Sequence, residues 1–145
     1  MRIQRYVPGV VAAIAIIIAS IGGCGGVAPV PPVFTKSNYT MKSAKEAEKI
    51  SSKPLLVMAT ASWCGPCQQL KKGALLDSDV VAIIEEKTLP VYLDVDENQD
   101  VAGELSVMSV PTLFLIRDGK VISKVSGTQT AESLKSWLNA ALVQK

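Results

Sequence analysis

The longest apolar run in the chain, Val10 to Ile21, is broken only by Ser20 and stands apart from everything after it. Downstream, shorter apolar runs alternate with amphipathic stretches. Ser43 to Ser51 is polar with Ala44, Ala47 and Ile50 assigned to one side, which predicts a short helix. Pro54 to Ala61 is unbroken apolar through Ala59, the pattern of a parallel strand covered on both faces. A helix is predicted to start near Gly65, with Gly73 bending or ending it, and Asp77 or Ser78 to cap a second one over Val80 to Glu86. Leu89 to Val95 reads as another apolar strand and Asn98 to Leu105 as helix, after which Val107 to Val110 leads to Pro111. Thr112 to Arg117 and Lys120 to Ser126 alternate as paired strands about the Asp118-Gly119 turn. Thr130 is the expected N-cap of a last helix that buries Leu134, Trp137, Leu138 and Ala141. Strands alternating with helices, then a hairpin and a helix, predict an α/β domain with a mixed central sheet flanked by helices.

Composition changes this picture mainly at the N-terminus. Apolar residues make up 48% of the 145 residues, enough for one core, and the net charge is +2 from 15 basic and 13 acidic side chains. Setting aside Arg2 and Arg5 leaves 13 against 13, so the domain itself is near neutral and no nucleic-acid partner is expected. Arg2 and Arg5 precede the Val10 to Ile21 run as the basic start of an export signal over residues 1–23. Ile21-Gly22-Gly23-Cys24 resembles a bacterial lipobox, whose cysteine is lipidated and becomes the first residue. An uncleaved membrane helix and a cleaved soluble form are the alternatives, and all three carry the domain out of the cytoplasm. Residues 24–35 then form a Gly/Pro-rich linker, extended by its prolines into a spacer off the membrane, and residues 36–145 form the domain.

The chemistry lies in Trp63-Cys64-Gly65-Pro66-Cys67. The predicted strand and helix on either side put Cys64 at a helix N-terminus and Cys67 one turn inside. Free N–H groups and partial positive charge there favour a thiolate. Such a thiolate can attack a disulfide, and the second thiol can displace the mixed disulfide that results. Pro66 falls in the first turn, where its missing N–H costs nothing. Zinc needs about four ligands, whereas the chain has no histidine and only one further cysteine, Cys24. Haem attachment needs a histidine where Gln68 stands. A structural bridge stays open on spacing alone, although so short a loop constrains little chain.

This pentapeptide resembles the active site of the thioredoxin family, letter for letter. The resemblance runs from about Lys36 to Leu142 and includes Val110-Pro111-Thr112, Asp118-Gly119 and Gly127. It implies a thioredoxin-like fold, with Cys64 as nucleophile and Cys67 as resolving thiol. It also implies a cis Pro111 packed against the disulfide, Val110 offering its backbone to an extended client, and Trp63 as an apolar lip beside Gly65 and Pro66. No cofactor or metal is expected. The expected partners are oxidised client proteins and a membrane electron donor, and the protein is expected to be a monomer.

Three positions depart from the family. Its buried aspartate, six residues before the first cysteine, is Met58 here; its lysine partner aligns with Tyr92, and a nearby tryptophan with Thr60. Asp94 is the one candidate replacement acid, expected to mark the exposed end of its strand. The reading is an extracytoplasmic, membrane-attached protein-disulfide reductant. An oxidant and a non-catalytic binding module are its rivals.

Overall fold

The computed structural model describes residues 26–144. The expected export signal and Cys24 lie outside them. Four strands form one mixed sheet in the order β2-β1-β3-β4. They are β1 (Leu55–Thr60), β2 (Leu89–Asp94), β3 (Thr112–Arg117) and β4 (Lys120–Ser126). Six helices accompany them: α1 (Pro32–Thr35), α2 (Met41–Ser51), α3 (Gly65–Lys72), α4 (Ser78–Lys87), α5 (Gln99–Glu104) and α6 (Ala131–Leu142).

All of β1 is buried, as its unbroken apolar run requires. It pairs in parallel with β2, after a crossover through α3 and α4, and antiparallel with β3. Alternation along β1 supplies two cores. Leu56 and Met58 join Leu70, Ile84, Leu134 and Leu138 from α3, α4 and α6 on one face. Leu55, Val57 and Ala59 meet Ala44 of α2 and neighbours from α5 on the other. The β3–β4 hairpin turns on Asp118 (φ 51°) and Gly119 (φ 72°). Two successive left-handed residues match the right-handed twist of the strands they join, which is why Asp-Gly suits this turn.

Several helix ends follow from capping chemistry. Asp77, rather than Ser78, caps α4 by accepting from the N–H groups of Asp79 and Val80. Thr130 caps α6 by accepting from Ser133 N–H. Helix α2 starts at Met41, two residues before the expected Ser43, because Thr40 and Ser43 form a reciprocal capping box. Gly73 ends α3, and a single 3-10 turn, Ala74–Leu76, leads on to α4.

Two expectations need correction. Ile50 is not on the buried side of α2 but is 89% exposed, while Ala44 is fully buried. Six residues at about 100° each turn Ile50 some 240° away from Ala44. The packed domain also begins before residue 36. Ala28, Val33 and Phe34 are 4%, 1% and 3% exposed. Phe34 meets Tyr92 edge to face, with ring centroids 6.0 Å apart. A proline at the start of α1 presets its helical φ and forfeits no hydrogen bond. The Pro-rich segment is therefore largely part of the domain rather than a free spacer.

Candidate active site

Strand β1 ends at Thr60, and the loop Ala61–Trp63 carries the chain to the N-terminus of α3. Cys64 is the N-cap of that helix: its Sγ accepts from the Cys67 N–H at 3.1 Å. Cys64 and Cys67 form a disulfide across 5.2 Å between Cα atoms. Pro66 lies in the first turn, where its missing N–H forfeits no helical hydrogen bond. The helix N-terminus and this N–H both stabilise negative charge on Cys64 Sγ once the bridge opens.

Both cysteines are buried. Cys67 is completely buried, whereas Cys64 is 4% exposed. Ala61 and both cysteines form a small apolar cluster, against which Val95 and Val110 pack. The Val110 carbonyl lies 3.5 Å from Cys64 Sγ; the bridged sulfur bears no proton, so this is a contact and not a hydrogen bond. The Val110–Pro111 bond is cis, and Pro111 is buried at the start of β3. Trp63 stands 69% exposed beside the cysteines. Its Nε1–H donates to Asp96 Oδ2 at 2.8 Å, which fixes the indole at the rim. Trp63, Met108 and Val110 line a shallow hollow of about 190 Å³. A larger cavity, about 630 Å³, lies instead along the β2 edge beside Tyr39 and contains neither cysteine.

Thus Trp63, Cys64, Gly65, Pro66, Cys67 and Val110 come together, and Pro111 follows Val110 directly. The departures at Met58 and Tyr92 are paired positions in the β1–β2 register, on the face that packs against α3. Lys71 of α3, only 3% exposed, places its Nζ 5.1 Å from the Tyr92 ring centroid. Lys71 was not among the expected site residues; its signal was the spacing of four from Cys67, which puts both on one helix face. The Thr60 hydroxyl is buried and has no hydrogen-bond partner among the described residues. Asp94 accepts from the Asp96 N–H at 3.0 Å, so its carboxylate is engaged in the turn after β2.

Gln68 is a second residue the motif did not flag. Its Nε2 donates to the Ser62 carbonyl at 3.1 Å and the Ala61 carbonyl at 3.4 Å, and its Oε1 accepts from Ala28 N–H at 2.7 Å. One amide thereby ties together the loop before Cys64, helix α3 and the N-terminal segment. Among the described residues no group of acidic or cysteine side chains is arranged to hold a metal, and no helix is long and apolar enough to cross a membrane.

An exchangeable disulfide at the head of a helix, following the central strand of this sheet and facing a cis-proline loop, defines a thiol–disulfide oxidoreductase. The thioredoxin family model matches residues 31–140, and the chain belongs to the thioredoxin family. It is 39% identical over 94 residues to a thioredoxin of Staphylococcus aureus, an overlap of 65% of this chain and 88% of that protein. Among solved structures, a thioredoxin from Thermus thermophilus superposes with a TM-score of 0.67 at 20% identity, covering 73% of this chain and 86% of its own. A protein described as DsbH oxidoreductase gives 0.65 at 21%, covering 74% and 84%. A mutant thioredoxin from Halobacterium salinarum gives 0.53 at 32% identity, covering 70% and 87%. The two structures near 20% identity bear on fold alone.

Proposed function

We propose that this protein is an extracytoplasmic, membrane-attached reductant of protein disulfides, working through the Cys64–Cys67 dithiol. The observation that carries the direction of transfer is Gly65-Pro66 between the cysteines, the dipeptide of reducing thioredoxins. The basic start, the apolar run and Cys24 of the N-terminal sequence support export and attachment through a lipid on Cys24.

The reaction follows from the site. The Cys64 thiolate attacks one sulfur of a client disulfide; that S–S bond breaks, and the departing client sulfur takes up a proton. A mixed disulfide now joins Cys64 to the client. Cys67 loses its proton and attacks Cys64 Sγ, releasing the second client sulfur and closing the Cys64–Cys67 bond. The client has gained two electrons and two protons, and the protein has become the disulfide. Val110's backbone and the Trp63 rim hold an extended client segment across the shallow hollow, a form of strand addition. A dithiol donor on the membrane then restores the reduced state.

The test is equilibration of the full chain with glutathione buffers to measure the Cys64–Cys67 potential. Reducing thioredoxins are known to lie near roughly −270 mV and strong oxidants near roughly −120 mV. A potential above about −150 mV would reverse the proposed direction. Trapping complements it: Cys67→Ser should accumulate mixed disulfides with clients, and Cys64→Ser should accumulate none. Equal trapping by both variants would refute the division of roles.

A further inference from the structure

We propose that the N-terminal segment is clamped to the active-site rim so that, in the attached protein, the Cys64–Cys67 pair is turned toward the bilayer and exchanges with dithiols and disulfides of membrane-held proteins. This rests on the Cys24 attachment proposed above. A free linker over residues 24–35 would span about 40 Å when extended, about the diameter of the domain, and would leave its orientation open. The structure removes most of that length. Ala28 is buried and bonded to Gln68, the residue after Cys67, and Val33 and Phe34 are sealed in the core. Lifting this segment away would expose them.

What precedes the clamp is short. Two residue steps separate Cys24 from Gly26, a reach of at most about 7 Å. Gly26 and Val27 line one groove together with Ser62, Trp63, Gly65 and Gln68. Gly26, where the tether meets the domain, and the nucleophile therefore lie at the same end of the molecule. The surface there suits a bilayer boundary. Val27, Trp63 and Met108 are 60%, 69% and 90% exposed. Indole rings favour the boundary between apolar and aqueous phases. Lys72 is the charged side chain lining the groove, placed to meet anionic headgroups. Asp96, an acid at this rim, is bonded to Trp63.

In this orientation a thiolate of a membrane-held dithiol attacks Cys64 Sγ, and the Cys64–Cys67 bond breaks with Cys67 leaving as thiolate. The donor's second thiolate then displaces Cys64. The donor ends as a disulfide, and Cys64 and Cys67 gain two electrons and take up protons from water.

The chain's two tryptophans, Trp63 and Trp137, allow a direct test. The full chain is produced in a bacterial host and reconstituted, as the host processes it, into phosphatidylethanolamine–phosphatidylglycerol vesicles carrying a dansyl headgroup lipid. Energy transfer to dansyl is compared between Trp137→Phe, which reports Trp63, and Trp63→Phe, which reports Trp137. Transfer from Trp63 should be severalfold larger. Gln68→Ala should shrink the difference, as should an insertion of about ten Gly/Ser residues after Gly25, which frees the tether and leaves the fold alone. Equal transfer from both tryptophans in vesicle-bound protein, or a difference that survives the insertion, overturns the orientation and leaves attachment standing. Protein that fails to sediment with vesicles overturns the attachment itself, and the orientation with it.

Discussion

Replacing Met58 by aspartate restores the family's buried acid in a site that has been rebuilt without it, and the structure sets the cost. Met58 is fully buried in the core between β1 and α3, paired with Tyr92 on one side and Leu113 on the other. Removing its side chain forfeits about 1.5–3 kcal/mol of apolar burial. Seating a carboxyl group there without a partner costs about 1–3 kcal/mol more. The expected loss is about 2.5–6 kcal/mol, a large part of the stability of an ordinary domain. It should appear in urea as a lower midpoint at an unchanged slope. The loss should also grow with pH. Burial raises the pKa of the new acid in the folded state. Below about pH 4 both states hold the proton and the loss is smallest. Above it the unfolded chain ionises first, so the folded state is progressively disfavoured until pH passes the raised value. Lys71 offers an escape, through an ammonium already close to Tyr92. A loss below about 1 kcal/mol, or stability that rises with pH, would refute the reasoning and show that Lys71 reaches the carboxylate. The Met58→Asp/Lys71→Met double variant would then be far less stable than either change alone predicts.

Three further outcomes are expected. Asp94→Asn should change the rate of mixed-disulfide resolution in single turnovers by less than about tenfold, one pKa unit's worth of free energy, because Asp94 already serves the Asp96 N–H; a larger loss with one kinetic pKa missing would make Asp94 the replacement acid. Phe34→Ala should cost about 3–5 kcal/mol in urea denaturation, since Phe34 is 3% exposed and packs on Tyr92; a loss below about 1 kcal/mol would mean that the domain starts after it. The hydrogen bond and charge of Asp79 raise the Lys135 pKa above 10.5. That pair's contribution is fully present below pH 10.5 and is lost as pH climbs through the raised value, so wild type and Lys135→Met should differ in thermal midpoint at neutral pH and converge in strong alkali.

What could be read from sequence was what local chemistry decides. Strand β1 was legible because both its faces are buried and its run is unbroken. The hairpin was legible because Asp-Gly readily takes two left-handed conformations, and the starts of α4 and α6 because Asp77 and Thr130 carry capping oxygens. The cysteine pair was legible because its spacing and its helix belong to one local motif. Contacts between distant segments were not. Nothing near Ala28 announces that its N–H will be taken by Gln68, forty residues away, and consecutive prolines read equally well as an extended spacer. Ile50 is apolar yet exposed, because the helix angle and not residue type decides which face a side chain joins. Lys71 was overlooked because lysine is seldom buried, and Asp96 because its bond to Trp63 spans a loop of another strand.

Cys64 does two jobs with one atom, and this governs how the site tolerates its own chemistry. Its sulfur closes the first turn of α3 by accepting the Cys67 N–H. A sulfur keeps lone pairs as a thiolate, in the internal bridge and in a bond to a client. An acceptor is therefore available to the turn through every stage of exchange, and the scaffold need not be rebuilt at each turnover. The same reasoning guides repair by substitution. Serine at position 64 restores the cap with an oxygen while abolishing the nucleophile, whereas alanine removes both and frays the helix by about 1 kcal/mol. A serine variant thus separates chemical failure from structural failure. An alanine variant confounds the two.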